Sequence, residues 1–451
     1  MGDSNRIVII GGGAAGMSAA TAARKVDPHC GITVCERGSA VAYAHCGLPY
    51  FISGIVKDHR ELFVYPFEHF RDDLDIDVLL HTEATALDHG RRTVTVRSVR
   101  DGAVHDLRYD SLVIATGACP VTPSYAEFGF ANLFTFRTMD DALRLSDYLS
   151  RRSPGKALVI GGGLVGVLMA EAFALRGMDT VIIEMRDALL PEFEEEIAGK
   201  AEEVLRTKGI SVFTGLSASG FDCENGIIRG VRAGRYLFEA DLVLCASGIR
   251  PETLLLGEYA GKSGALETDD RMATPVRGVY ACGDCTTAYH TTAGRRLYRP
   301  LGTTANRQGR VAGENAAGRY SIFSGIAGTQ ALKLFELEMA RTGLSGEEAK
   351  QAGIRTVDAT AVSPSVATYI PGSHPITTKV TVEAGSGRVV GAQMAGCGEV
   401  AKRIDVFVSI IQNGMRVGDA LNLDLSYTPR CSPIWDPVLY CLKEVHKKLN
   451  R

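Results

Sequence analysis

Residues 6–26 read RIVIIGGGAAGMSAATAARKV: a short β-branched run, a glycine triplet, then an Ala-rich stretch of helical character. Gly11, Gly13 and Gly16 fit G-x-G-x-x-G, and the next apolar run, ITVC at 32–35, ends at Glu36. In such a loop the first glycine makes the tight turn and the second lets the backbone approach a pyrophosphate. The third lets the helix pack closely on the strand, and the helix N-terminus faces the phosphates. Glu36, roughly twenty residues further on, suits a ribose hydroxyl pair. A lone glycine match is weak. The strand before it, the helix after it and the acid at this spacing together predict a dinucleotide-binding unit rather than a ligand-free loop.

The pattern recurs at 156–184, KALVIGGGLVGVLMAEAFALRGMDTVIIE, with Gly161, Gly163 and Gly166 in the loop and Glu184 ending the strand. A chain with two such units can hold two dinucleotides. An acid at 184 repels a 2′-phosphate and favours NADH, while Arg186 close by weakens that preference and leaves NADPH open. Two later segments, LVIATGACP (112–120, with Thr116 and Gly117) and GVYACGDCTTA (278–288, with Gly283 and Asp284), resemble the further FAD-binding motifs of two-dinucleotide flavoproteins. There the Asp accepts a hydrogen bond from the flavin ribityl chain. Cys282 and Cys285 also spell C-x-x-C, but the flavin motif requires the intervening Gly-Asp, so no metal site is assigned.

The 451 residues suggest two or three domains, and 45% hydrophobic with 22% charged residues is ordinary for a globular chain with large cores. A formal charge of −3 gives no general field for nucleic acid or membrane. The apolar run 157–175 approaches a membrane span in length, but its glycine triplet and Glu171 make it a buried strand-turn-helix. Residues 1–10 lead straight into a glycine loop, so no signal peptide is expected, and eleven cysteines without framework spacing suit a reducing compartment. The expectation is a soluble cytoplasmic protein.

AYAHCGLPYFISG (42–54), PLGTTANRQGRVAGENAAG (300–318), AKRIDVFVSIIQNGM (401–415) and LDLSYTPRCSPIWDPV (423–438) go further. Together they resemble the single-cysteine branch of the pyridine nucleotide-disulfide oxidoreductases, which includes coenzyme A-disulfide reductases, persulfide reductases, and NADH oxidases and peroxidases. The resemblance covers essentially the whole chain. It implies an α/β fold of two Rossmann-like dinucleotide-binding domains, for FAD and NAD(P)H, plus a C-terminal α+β dimerisation domain. The expected boundaries are 1–119 and 251–325 for the FAD domain, 120–250 for the NAD(P)H domain and 326–451 for dimerisation. It also implies a homodimer whose active sites borrow residues from the partner. Ala14, Arg37 and Gly248 join the cofactor-binding residues already named.

Dithiol relatives carry C-x4-C; here Phe51 stands five residues after Cys46, so Cys46 has no such partner. At a helix N-terminus the macrodipole favours the reactive thiolate, and a protonated His45 would lower the thiol pKa further. The bland reading of Cys46 is a small buried hydrophobe. The resemblance implies that electrons pass from NAD(P)H through FAD to a disulfide between Cys46 and a small thiol.

Four departures from relatives narrow this. Oxidases and peroxidases carry a His where this chain has Ala14, which disfavours a sulfenic-acid cycle. Asp72 and Asp73 stand where coenzyme A-disulfide reductases often place lysines, which counts against coenzyme A and leaves Arg24, Lys25 and Arg307 as phosphate contacts. Leu168 replaces a Glu found near the nicotinamide. Near the C-terminus, Tyr427 keeps an aromatic suited to protonating a leaving thiolate, while Cys431 replaces a second aromatic. Cys431 reads as a resolving cysteine across the dimer, as a soft-metal ligand with Cys46, or as a space-filling thiol. The competing functions are a reductase of small disulfides or persulfides, an NADH oxidase or peroxidase, and a flavin redox sensor or electron carrier.

Overall fold

A computed structural model describes residues 5–126 and 129–450. The run Arg6–Ile10 is buried at four of its five positions and lies at the centre of a five-stranded sheet. In spatial order the strands are Ile76–Leu79, Gly31–Cys35, Arg6–Ile10, Ser111–Ile114 and Val279–Ala281, all parallel. Parallel strands covered on both faces need continuous apolar runs, which is why residues 7–10 and 112–114 show no alternation. A second sheet repeats the order with Ser211–Phe213, Asp179–Ile183, Lys156–Ile160, Leu242–Cys245 and Leu133–Thr135, again all parallel.

Sterics enforce the glycines at both turns. Gly11 and Gly161 have φ of +104° and +111°, and a Cβ would lie 2.2 Å from the Ala115 oxygen or 2.3 Å from that of Ala246. A Cβ on Gly16 or Gly166 would fall 1.8 or 1.9 Å from the carbonyl of Gly11 or Gly161, so the helices Ala14–Val26 and Leu164–Leu175 could not sit where they do. The helix Gly302–Ala316 then packs on Ala14–Val26 at backbone distance, because Gly309 and Gly313 carry no side chain: a Cβ on either would lie 2.1 Å from the oxygen of Ala15 or Ala19. Late segments of the chain thus return to the first unit.

The chain passes between the two units along the antiparallel pair Ala118–Pro120 and Ile249–Pro251. Beyond them, an antiparallel sheet runs Gln330–Leu334, Leu337–Gly343, Val389–Gly396, Pro375–Glu383, Thr356–Pro364. The helices Val400–Gln412 and Pro437–Leu449 cover it, burying Ile404, Phe407, Val438 and Leu442 against Ile376 and Val380. One apolar cluster joins all three regions, with Leu48 and Ile52 of the cysteine segment meeting Val167 and Phe173 of the second unit and Leu332 and Leu334 of the third. Among the described residues no helix is long and apolar enough to cross a membrane.

Candidate active site

Both glycine-loop helices start without a side-chain cap and without an acid in the first turn. Their first N–H groups and the positive end of each macrodipole therefore stay available to an anion. The space above Gly163 is open, with no atom within 4 Å of a Cβ placed there. The donor set and the cradle both fit a dinucleotide pyrophosphate. Glu36 and Glu184 do structural work as well. Glu36 accepts from the N–H of Gly12 (2.7 Å) and Gly38 (2.6 Å), and Glu184 from Gly162 (2.6 Å) and Arg186 (2.8 Å). Each acid thus fixes the loop beside which a ribose would lie. Arg37 is half-exposed, 3.8 Å from Glu83. Thr116 donates to the Glu252 carbonyl at 2.5 Å, while Gly117 (φ +73°) and Gly248 (φ +111°) shape the crossing between the units.

Cys46 sits in a single 3-10 turn, His45–Gly47, ahead of the six-residue helix Leu48–Ser53. It is a free, exposed thiol. The sequence credits the helix that follows it with activating the sulfur; that helix is little more than one turn. The fifteen-residue helix Gly302–Ala316 also begins beside the sulfur, with the Cys46 Sγ 4.0 Å from where a Cβ of Gly302 would stand. Its N-terminus, too, has no side-chain cap and no acid.

The electrostatics differ from the sequence expectation. Although Cys46 is solvent-accessible, the protein packed around its sulfur desolvates it, and this and the nearby Asp284 push the thiol up; its local backbone hydrogen bond and Arg137 only partly oppose them. His45 does not supply a positive charge. Burial, then Arg137, hold its pKa below the usual imidazole value, so the ring is neutral at pH 7. The ring stacks on Tyr43 at 4.1 Å between centroids, with Nδ1 3.2 Å from the Tyr43 carbonyl oxygen.

Asp284 reaches this place because Gly283 (φ +80°) packs against the Ala15 side chain and its N–H donates to Gln308 at 2.9 Å. Its carboxylate pairs with Arg137 at 2.8 Å, both side chains being mostly covered. Sequence reasoning missed Arg137. It lies just before the helix Met139–Arg152 in a segment without a motif, and its own N–H is fixed on Asp141 at 3.0 Å. Tyr298 is another omission: its hydroxyl is buried without a partner, and burial followed by Asp284 raises its pKa. An orphaned hydroxyl beside Asp284 is a further polar group available to a bound cofactor.

Tyr427 and Cys431 lie in a loop of the third region, both exposed, and Cys431 is a free thiol. The loop backbone is rigidly held. Buried Arg403 donates to the carbonyls of Cys431 (3.1 Å) and Ser365 (2.8 Å) and pairs with Asp436 at 3.0 Å. Arg403 was visible only as one residue of an amphipathic helix.

Other expectations sort clearly. Arg24 is buried and donates to the carbonyls of Leu74, Pro28 and Asp75, and Arg307 donates to Gly325 and stacks on Phe323. The Arg24 guanidinium is engaged inside the protein, which corrects its reading as a phosphate contact; Arg307 and Lys25 are exposed. Asp72 pairs with Arg71 at 2.6 Å, which offsets its repulsion, and Asp73 lies 2.8 Å from the His69 Nδ1. Cys282 and Cys285 are fully buried, and the Cys285 thiol donates to the Ile114 and Cys282 carbonyls, as a structural pair would. Cys223, by contrast, is exposed rather than packed. Leu168 is half-buried on its helix; one turn on, buried Glu171 accepts from Phe335 N–H. Ala14 opens the helix of the first loop.

Comparison with known proteins agrees with this arrangement. Residues 5–309 match the family described as pyridine nucleotide-disulphide oxidoreductase, and residues 329–437 match its dimerisation domain. The chain is 34% identical to an NAD(P)H coenzyme A polysulfide/persulfide reductase of Pyrococcus horikoshii, over 96% of this chain and 97% of that one. It is 31% identical to an NADH oxidase of Methanocaldococcus jannaschii, over 99% of each. An NAD-dependent persulfide reductase from A. fulgidus superposes with a TM-score of 0.94 at 37% identity, covering 99% of this chain and 83% of that chain. With two dinucleotide loops, a lone open thiol between them and these relationships along its whole length, the chain belongs to the pyridine nucleotide-disulphide oxidoreductases.

Proposed function

We propose that this protein is an FAD-dependent NAD(P)H:disulfide oxidoreductase in which Cys46 exchanges with a small-molecule disulfide, persulfide or related thiol adduct. The observation that carries the reading is the setting of Cys46. It is an open thiol at the start of two helices, beside the Arg137–Asp284 pair and joined through one core to both dinucleotide units. The first glycine loop, Glu36 and Asp284 would hold FAD, and the second loop with Glu184 the nicotinamide dinucleotide. Bound FAD supplies the two-electron relay between nicotinamide and sulfur. The chain positions Cys46 so that its thiolate attacks a disulfide RS–SR, forming Cys46–S–S–R and releasing RS⁻. Two electrons from NAD(P)H then cleave that bond, returning the Cys46 thiolate and a second RS⁻. The sum is NAD(P)H + H⁺ + RSSR giving NAD(P)⁺ and 2 RSH.

In the homodimer, Tyr427 and Cys431 approach the partner's Cys46 site, Tyr427 as proton donor and Cys431 as a second redox cysteine. Two exposed, reactive-type side chains on a loop pinned by Arg403 support this. The domain limits we assign are 119/120, 250/251 and 325/326, and eleven free cysteines support a cytoplasmic setting.

The test is NADH and NADPH consumption with coenzyme A disulfide, coenzyme A persulfide, glutathione persulfide and inorganic polysulfide. Turnover with at least one of these, abolished in Cys46→Ser, is expected. NADH consumption matched by oxygen uptake and independent of every sulfur compound would move the protein to the oxidase reading, which the M. jannaschii relative favours. Turnover only with an added protein acceptor would make it an electron carrier.

A further inference from the structure

His45 stands next to the reactive cysteine and invites a role in activating it. The geometry points elsewhere. Nδ1 lies 3.2 Å from the Tyr43 carbonyl oxygen, which can only accept, so Nδ1 carries the ring proton. In the neutral ring Nε2 is then a bare acceptor. The ring is locked by stacking on Tyr43 at an interplanar angle of 21°, and Tyr43 is itself held because its hydroxyl accepts from Met139 N–H at 3.0 Å. The free edge of the imidazole faces the first glycine loop: Cε1 and Nε2 lie 3.4 and 3.8 Å from where a Cβ of Gly13 would stand. The edge thus lies in van der Waals reach of the loop backbone at Gly13. Asp284 and Arg137 pair at 2.8 Å close by, and the field of both charged groups reaches the ring.

We propose that His45 is a cofactor-binding residue, whose Nε2 accepts a hydrogen bond from a hydroxyl of the FAD polyol chain at the first glycine loop. Asp284 shares its carboxylate with Arg137, and a neutral acceptor adds hydroxyl recognition there without adding negative charge beside Cys46. His45 contributes this through a fixed tautomer, which an exposed or freely rotating histidine would lack. The inference rests on FAD occupying the first loop, but on nothing about the sulfur substrate.

The test uses apoprotein of the full chain, titrated with FAD and read by flavin fluorescence, with no NAD(P)H or disulfide present. His45→Phe keeps an aromatic ring for Tyr43 and removes the acceptor; FAD Kd should rise about tenfold. His45→Gln, which restores an acceptor, should recover most of that loss, and His45→Leu stands in if the Phe variant does not fold. The alkylation rate of Cys46 by iodoacetamide in the holoenzyme should change less than threefold in both. An unchanged FAD Kd in either the Phe variant or, if that is unfolded, His45→Leu would overturn the proposal. So would a tenfold slower alkylation at unchanged Kd, since His45 would then act on the sulfur. Failure of every disulfide as substrate would leave the FAD titration intact, so the two readings fail separately.

Discussion

Replacing Arg403 by Met tests whether the loop carrying Tyr427 and Cys431 is held by one guanidinium. Arg403 is 8% exposed; it donates to the Cys431 and Ser365 carbonyls and pairs with Asp436 at 3.0 Å. Removing one partner of a buried ion pair costs about 3–5 kcal/mol, largely because the other charge is left behind. Asp436 keeps two other donors, the Ser432 hydroxyl at 3.0 Å and the Val438 N–H at 2.9 Å, so the lower end, about 3 kcal/mol, applies. The loss falls on this loop, whose own amides report it: Cys431 and Ser432 N–H donate to the Thr428 carbonyl and Ala367 N–H to that of Pro429. If loop opening governs their exchange, about 3 kcal/mol raises the rate roughly a hundredfold. Deuterium uptake in peptides spanning 424–436 and 363–370 measures it, with the Arg6–Ile10 strand as internal control. Adding Asp436→Asn should restore part of the protection by removing the orphaned charge. Turnover should fall with the FAD spectrum intact if, as proposed, the loop completes the partner's site. Uptake within threefold of wild type would refute the argument.

Gly313→Ala places a Cβ 2.1 Å from the Ala19 carbonyl, and backbone cannot yield cheaply there; we expect the helix pair to separate, with a lowered Tm and loss of FAD on gel filtration. Gly199→Ala, in the exposed helix Glu195–Thr207 with nothing within 4 Å, should instead leave FAD content unchanged and raise stability by up to about 1 kcal/mol. His290 is fully buried, and burial first, then Arg299, hold its pKa at about 4 against an ordinary 6.5, with Glu348 opposing. Its unfolded form binds the proton first as pH falls, so its contribution is complete above pH 6.5 and is lost between there and about pH 4, about 3 kcal/mol in all. The urea midpoint of His290→Leu should fall less steeply with pH across that window than that of wild type; parallel profiles would contradict the assignment.

What could be read from the sequence was whatever the backbone dictates locally. Gly11, Gly16, Gly161 and Gly166 announce themselves because each sits where a Cβ would strike a carbonyl of the same strand-turn-helix or of the strand beside it. The two parallel sheets follow from short apolar runs at the matching places. Arg137 and Arg403 were not legible, since they act through partners 147 and 28 residues away, and neither they nor Tyr298 carry a spacing that marks them. The opposite error befell Arg24. As a residue it looks like a phosphate ligand, and only packing reveals that its guanidinium is already committed to the carbonyls of Leu74, Pro28 and Asp75.

Cys46 shows why position in the chain is a poor guide to the charge on a sulfur. The neighbours that sequence supplies, a neutral His45 and a six-residue helix, add little positive potential. The neighbours that folding supplies are Arg137 from the second unit and the start of Gly302–Ala316, which the glycines at 309 and 313 bring against the first helix. Asp284 works against them, raising the thiol while binding the guanidinium that would lower it. On balance the thiol is held above its ordinary value. A ligand that took over one lone pair of Asp284 would weaken its pull on both the sulfur and Arg137.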